Sequence, residues 1–563
     1  MEKRLLVAIV LSFLVIFAFQ ALFMKKAPSP VIPPEEAVQM ERKEAQTPLE
    51  KEPSSPAVIS QKPEPAAEVP GLQQISAQSE ERIIIDTSLY QAVWTNRGGL
   101  LKSWKLKTHK SAAREDLELI PEYTKELNVF PFLLSEENPD LTQNSVISGI
   151  VNNVYNSSFY RSSTRSLNLK DGQKGEIRFE YSDGKEIKVE KIFTFYGGKF
   201  NFDIEIILWK NGQKIEPWLL WGPGIDNPSP EEIKQRFGAG GGISVLASNK
   251  LFRIEERKYK PEQSAFNFVT WAAYDDNYFA ALFLPASQNG IASFLKEDRD
   301  NISYFFLSVS NPRQAYIGPK EFDTLVALGH NTKKIVRFGF FGWIAEILLW
   351  SIKYIHRIIP NWGFAIIALT LVIKIIFFPL TYSSTKSMAK MQELQPKIKA
   401  LRAKYKKAKQ DIAQRRQMNE EMMKLYKEHG VNPAGGCLPM LIQLPVFWGF
   451  FRMLVVAIEF RHSPFIFWIK DLSVKDPFYV TPILMGATQF ISQKLTPTSA
   501  DPSQARLMLI MPVIMTLFFM NFQSGLVLYW LTSNVLQIAQ QYVMNRMIKS
   551  KKRESHGKRR KNR

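Results

Sequence analysis

Cysteine is almost missing: the 563 residues contain one, Cys437. A single thiol builds neither an intramolecular disulfide framework nor a Cys-ligated zinc or iron–sulfur site, each of which needs several thiolates. Histidine is scarce, with six residues and no H-E-x-x-H run, and no G-x-x-x-x-G-K-[ST] run occurs. Zinc-protease and P-loop nucleotide chemistry therefore lack their signatures. Negative charge is in deficit, 53 Asp and Glu against 73 Lys and Arg, for a formal net charge of +20. With 45% hydrophobic, 12% aromatic and 22% charged residues, the average fits neither one soluble enzyme nor a pure membrane bundle, so the segments face different solvents.

Long uncharged runs are present. Leu5 to Phe23 is 19 residues after Lys3 and Arg4, with no A-x-A ahead of Pro28. That exceeds the roughly 7–15 residues of a signal-peptide core. It reads as an uncleaved anchor, with a removed signal as the alternative. Further runs are Ile358 to Ile373, Val431 to Phe451, Pro477 to Gln493 and Leu507 to Asn545, against about 20 residues per helical span. The last holds 39 residues and divides at Asn521 to Gly525, where polar residues and Gly supply a turn. Six spans result.

Basic loops stay in the cytoplasm. The segment 381–436 carries 13 basic and 5 acidic residues, and the tail from Arg546 carries 10 basic residues and one acidic, Glu554. Both belong inside. Glu459 to Asp476 is balanced at three and three, as an outer loop should be. The N-terminus then lies inside and the long segment before the second span is exported.

Ten Pro between Pro28 and Pro70 leave no material for a core and predict an extended tether over 25–80. From Arg82 the pattern alternates, as in RIIIDTSLYQAVWT and KFNFDIEIILW, and Asp183-Gly184 sits where a hairpin needs positive φ. This predicts an all-β sandwich over 81–335. The run Gly238 to Gly242 is a phosphate cradle or, since no P-loop Lys follows, a loop or strand crossing. The strand aromatics form a core or line a peptide or sugar groove. Over 336–360, Trp343, Ile347, Trp350 and Tyr354 recur at helical spacing, which suits a helix lying on the outer interface or an extension of the next span.

Inside, Met388, Met391, Ile398, Leu401 and Tyr405, then Ile412, Met418, Met422 and Leu425, describe a helical hairpin with an apolar seam. Its basic face is solvated, or binds anionic lipid or ribosomal RNA phosphates. The tail KSKKRESHGKRRKNR has almost no apolar content and predicts a disordered polyelectrolyte. Lys374 interrupts the second span, where a central Lys costs about 2.5–3.5 kcal/mol. Its amine snorkels to the headgroups, or it enters a wet cavity with Thr370, Gln443, Gln489, Asn534 and Gln537. Arg452, seven residues before Glu459, reads as an outward snorkel, with substrate contact as the alternative.

The strings NPAGGCLPMLIQLPVFWG (Asn432 to Gly449), SMAKMQELQPKIKALR (Ser387 to Arg402), PILMGATQFISQK (Pro482 to Lys494), MPVIMTLFF (Met511 to Phe519) and SGLVLYWLTSN (Ser524 to Asn534) resemble the YidC family of membrane-protein insertases. The anchor, tether and β segment resemble its Gram-negative form, with a large periplasmic domain. The resemblance implies an inner-membrane insertase and chaperone, not an enzyme, acting alone or with the Sec translocon and needing no cofactor or metal. It implies six transmembrane helices, five of them forming a core over 361–545 around a hydrophilic groove, with the cytoplasmic helical hairpin at 381–436 and the basic tail at 546–563. The anchor is 1–24, and both termini are cytoplasmic. Lys374 takes the place of the family's groove Arg, keeping the charge but losing the planar fork. Thr370, Tyr529 and Trp530 match positions along the family's groove or substrate path. Implied partners are nascent membrane proteins, the Sec translocon, the ribosome and signal-recognition targeting machinery, and anionic phospholipids. Two rival classes remain: a transporter, which would carry inverted repeats, and an intramembrane enzyme using Cys437, whose nearest His in sequence is His429.

Overall fold

The computed structural model describes residues 73–561, apart from internal stretches at 112–113, 140–145, 229–240, 262–263, 288, 300–301, 406–410, 432–437 and 496–501. The expected anchor at 1–24 and most of the tether lie outside the described residues. The last part of the segment read as tether does not. Ile75 and Ser182 exchange backbone hydrogen bonds at 2.9 and 2.8 Å, and Ala77 N donates to Phe159 O at 2.9 Å. The boundary at 80 is therefore too late: main-chain pairing to a strand needs no apolar side chain, so composition does not reveal it.

Alternating residues build the β half. Asn201–Lys210 buries every second side chain over most of its length, as a strand with one covered face should. A five-stranded sheet holds Arg82–Thr87, Tyr90–Thr95 and Leu100–Lys110 as antiparallel neighbours, with Ser166–Leu169 joined in parallel to the first. A fourteen-stranded sheet carries the rest. The two meet through rings: Trp94 of the smaller sheet lies 4.4 Å from Phe193 and 4.8 Å from Phe132, centroid to centroid. These aromatics are core. Asp183 and Gly184 join two antiparallel strands, Lys174–Ser182 and Ile187–Tyr196. Gly184 has φ +75°, and Asp183 Oδ1 accepts the N–H groups of Lys185, Glu186 and Ile187 at 2.9, 3.0 and 2.9 Å. Of the glycine run, 238–240 lie outside the described residues. Gly242 opens a strand paired on both sides, with Glu255 and Asp275 opposite it, where a Cβ would stand 2.2 Å from Ile254 O.

Charged residues enter this core too, and one of them is held by carbonyls alone. Lys191 is fully buried, and its Nζ donates to Gly98 O at 2.6 Å and Phe132 O at 2.9 Å. No carboxylate is among these partners, and burial pulls the amine down to about 7.

The second half is helical. We label its helices α1 (Gly342–Ile358), α2 (Trp362–Ile376), α3 (Phe378–Glu393), α4 (Gln395–Lys404), α5 (Ile412–Glu428), α6 (Leu438–Val456), α7 (Val480–Leu495), α8 (Pro502–Phe519) and α9 (Ser524–Lys561). α1 starts later than position 336 because the chain before it closes the β domain, with Ile335 and Phe338 buried. It does not run on into α2: Pro360 intervenes, and Asn361 caps α2 by accepting Phe364 N–H at 3.1 Å. Trp343, Ile347, Trp350 and Tyr354 are exposed along one stripe of α1, while Ile344, Ala345, Leu348 and Leu349 are buried on the other.

Among the described residues no single helix is long and apolar enough to cross a membrane by itself, but α2 and α3 pass together as a pair bent by 59°. α8 and α9 separate at 520–523, where Ser524 N donates back to Val474 O at 2.7 Å. α3, α4 and α5 enclose a small apolar cluster of Met391, Leu394, Ile398 and Val431, backed by Met422, Leu425 and Tyr426. The first arm is in two pieces, with Pro396 at the first turn of α4. The tail read as disordered is instead helical backbone, since α9 continues to Lys561. Lys and Arg are good helix formers, and no Pro follows Ser524 to stop the helix.

Candidate functional site: a polar seam between the membrane helices

Trp530, Asn534 and Gln537 stand four and three residues apart on α9, hence on one face. Three helices meet that face. α2 presents Lys374 near its end, and Lys374 Nζ donates to Gln537 Oε1 at 3.1 Å. Its neighbours Leu371, Val372, Ile375 and Ile376 are exposed, so Lys374 lies at the edge of an apolar stripe with its amine drawn inward. The amide of Gln537 meets it there; the snorkelling alternative would point it away.

α7 supplies the next contacts. Trp530 Nε1 donates to Gln489 Oε1 at 3.2 Å. Asn534 Nδ2 donates to Met485 O at 3.1 Å and to Thr488 Oγ1 at 3.4 Å. A buried amide without such partners would cost several kcal/mol in hydrocarbon. α6 closes the seam with rings. Tyr529 stacks on Phe450 at 4.1 Å, Trp530 meets Phe447 edge-on at 4.9 Å, and the Tyr529 hydroxyl faces Gln443. Phe447, Phe450 and Thr488 were not singled out by sequence reasoning. Only their helical spacing relative to Gln443 and Gln489 could have pointed to them.

Thr370 falls outside the network. It is 1% exposed, and its hydroxyl donates to Ile366 O at 2.6 Å in its own helix, a local bond that removes it from the polar surface. The remaining residues form separate pairs, Lys374 with Gln537, Trp530 with Gln489 and Tyr529 with Gln443. Chemically the arrangement can offer a cation and several neutral donors and acceptors. It holds no nucleophile and base in contact, and no cluster able to hold a metal ion occurs among the described residues.

The other flagged residues lie elsewhere. Cys437 is outside the described residues. His429 contacts Lys397 Nζ at 2.9 Å and Leu425 O at 2.9 Å, with no carboxylate on either nitrogen. In the β domain, His109 meets Phe279 edge-on at 5.9 Å, and burial, aided by Arg461 and His462, pulls it down to about 4. His330 only offers its carbonyl to Trp271 Nε1 at 3.1 Å. Arg452 does not reach outward alone: its Nη2 donates to Arg337 O, tying α6 to the segment that leaves the β domain.

Residues 82–351 match the family model described as the YidC periplasmic domain, and residues 354–552 match that of the 60Kd inner membrane protein. The membrane protein insertase YidC of Syntrophus aciditrophicus (strain SB) is 38% identical, with 97% of this chain and 100% of that protein aligned. That of Geotalea daltonii is 35% identical, with the same coverage. A crystal structure of an active YidC insertase with its first transmembrane domain resolved is 19% identical, covering 84% of this chain and 95% of that one, at a TM-score of 0.35. The chain belongs to the YidC family of membrane protein insertases, with a periplasmic β domain ahead of an inner-membrane helical half.

Proposed function

We propose that the seam between α2, α6, α7 and α9 is the substrate path of this insertase. As a family member the chain inserts membrane proteins into the inner membrane without enzymatic chemistry, and nascent membrane proteins are its clients. The observation that carries the groove reading is the inward contact of Lys374 with Gln537 at 3.1 Å, in a helix whose neighbouring residues face outward. A client's polar tail passing beside Lys374, Gln443, Gln489, Asn534 and Gln537 keeps hydrogen-bond partners it would lose in lipid, which lowers the cost of its transfer. Lys374 adds attraction for acidic tails. Tyr529, Trp530, Phe447 and Phe450 offer an apolar wall along which the client's span leaves sideways, driven by about 25 cal/mol per Å² of apolar surface withdrawn from water.

The topology that suits this path has six spans, with the anchor at 1–24, both termini in the cytoplasm, and the hairpin of α3 to α5 inside with the basic end of α9. Thirteen basic residues in 381–436 and ten from Arg546 onward support that side. The same charges suit ribosomal RNA, signal-recognition targeting machinery and anionic phospholipid as partners on that side, with the Sec translocon as a lateral partner.

Photocrosslinking to a stalled, radiolabelled nascent membrane protein tests the path. Probes replace Gln443 and Trp530, with a control probe at Lys250 on the periplasmic domain. Adducts at the two membrane positions and none at the control support the path. Adducts at the control alone, with ribosomes still bound, overturn it in favour of a docking role.

A further inference from the structure

Where the β domain meets the membrane half, positive charge accumulates around one carboxylate. Asp275 is fully buried and accepts Lys320 Nζ at 2.9 Å, Arg337 Nη2 at 3.1 Å and Ser244 Oγ at 2.8 Å. Arg452 of α6 donates to the carbonyl of Arg337. Arg253, exposed on its strand, donates to Lys334 O at 2.5 Å and lies within charge–charge range of Arg337, Arg452 and Asp275. Asp276, the other carboxylate acting on Lys320, accepts the N–H groups of Tyr278 and Phe279 at 2.8 and 2.6 Å. Asp275 is the carboxylate bonded to both Lys320 and Arg337, and the Nε atoms of Arg337 and Arg452 are buried without a hydrogen-bond partner among the described residues.

Guanidinium groups brought together with so little compensation repel one another, by more in a partly desolvated junction than in water. An anion relieves that repulsion. The level of the junction indicates which anion. Gly339, just before α1, places its Cβ direction 3.6 Å from Arg452 Nε; Phe340 beside it is 92% exposed, and Trp343, Trp350 and Tyr354 follow along α1 at 65%, 71% and 57%. Such an aromatic belt sits among lipid headgroups. We propose that Arg253, Arg337 and Arg452 bind the phosphodiester of an anionic phospholipid in the periplasmic leaflet, at the joint between the β domain and α6. The site is separate from the polar seam and from the basic cytoplasmic surfaces. The guanidinium fork suits a phosphate, and the exposed side of Arg253 leaves the approach open. A bound headgroup would also fasten the periplasmic domain to the membrane surface.

The test uses the full-length protein in detergent, titrated with short-chain phosphatidylglycerol and counted for bound lipid by native mass spectrometry. Phosphatidylcholine and inorganic phosphate are run as parallel probes. The R253Q/R452Q variant is expected to weaken phosphatidylglycerol binding by about tenfold or more, the loss of a charge-assisted contact, with phosphatidylcholine unaffected. Lys424→Gln with Lys427→Gln, on the hairpin, should leave this binding event in place. If R253Q/R452Q does not fold, R253Q alone serves, since its side chain is exposed; about a threefold loss is then expected from weakening one surface charge contact. Unchanged affinity in the arginine variants, or a loss confined to the hairpin variant, overturns the proposal. Inorganic phosphate occupying the site as tightly as the lipid also overturns it, since the ligand is then a free anion.

Discussion

Lys374 of α2 donates its amine proton to Gln537 of α9 at 3.1 Å, so the one charge in the interior of α2 is satisfied by a neutral amide rather than by a carboxylate. That pairing leaves the positive charge uncancelled and available to a client. Lys374→Ala should therefore reduce insertion of clients with acidic exported tails by about tenfold, on the scale of one charge contact. Neutral-tailed clients should be little affected, and Lys374→Arg should retain most activity. Protease protection of clients inserted into vesicles reads the difference. Equal insertion of acidic-tailed clients by Lys374→Ala and the parent would end the electrostatic reading.

Lys191 gives the β domain a pH dependence of stability with a definite sign. Its folded value, about 7, lies below the usual lysine range because the amine is buried. Between about pH 7 and pH 10 the unfolded chain binds a proton that the folded chain does not, so stability should rise with pH, by up to about 1.4 kcal/mol per unit. Below pH 7 this contribution is flat. Denaturant melts from pH 6 to 9 should show the rise in the parent and lose it in Lys191→Met. A rise that persists in the variant would assign it to other groups.

Asp275 should act at the acid end. Burial pushes its carboxyl up, but the charges of Lys320 and Arg337 more than offset this and hold it below the usual carboxylate range. Its stabilisation is present above about pH 4 and lost as pH falls through the lower folded value. Asp275→Asn at neutral pH removes the carboxylate bonded to the buried Lys320 and the half-buried Arg337, at about 3–5 kcal/mol. Thermal unfolding followed by tryptophan fluorescence reports it, since Trp94, Trp104, Trp221 and Trp271 are fully buried in the β core. A shift no larger than that of an exposed substitution would contradict the assignment.

Gly449 should resist substitution. A Cβ there would lie 2.7 Å from Ile344 Cγ2 and 3.0 Å from Ile344 Cβ, where α6 crosses α1. Gly449→Ala should cost about 1–3 kcal/mol by overpacking, and pairing it with Ile344→Ala should recover part of that. The double-mutant cycle in detergent melts measures the coupling. Strict additivity would mean that the helices do not meet there.

Much of this molecule is written locally. Alternation over Asn201–Lys210, the turn at Asp183-Gly184, the break at Asn521 to Gly525 and the apolar stripe from Trp343 to Tyr354 depend on neighbours a few residues apart, so residue order alone predicts them. The YidC strings carry the family in the same way. Three readings failed for lack of local information. The β domain begins before residue 80 because Ile75 pairs with Ser182 through backbone atoms that composition does not encode. α9 extends to Lys561 because a charged tail without a Pro has no local reason to leave the helix. Thr370 spends its hydroxyl on Ile366 O, a choice among equivalent rotamers.

The chain order therefore determined which residues are strand, helix, exported or basic, since those properties follow from side-chain period, turn chemistry and loop charge. Tertiary structure decided the pairings: Lys374 with Gln537, 163 positions apart, Trp530 with Gln489, and Arg452 with the carbonyl of Arg337. A polar group in a poorly hydrated interior gains free energy by finding a partner, and many amides in the sequence could have met that need. The packing of α2, α7 and α9 brings Gln537 to Lys374 and Gln489 to Trp530, and the approach of α6 to the end of the β domain brings Arg452 to Arg337 O.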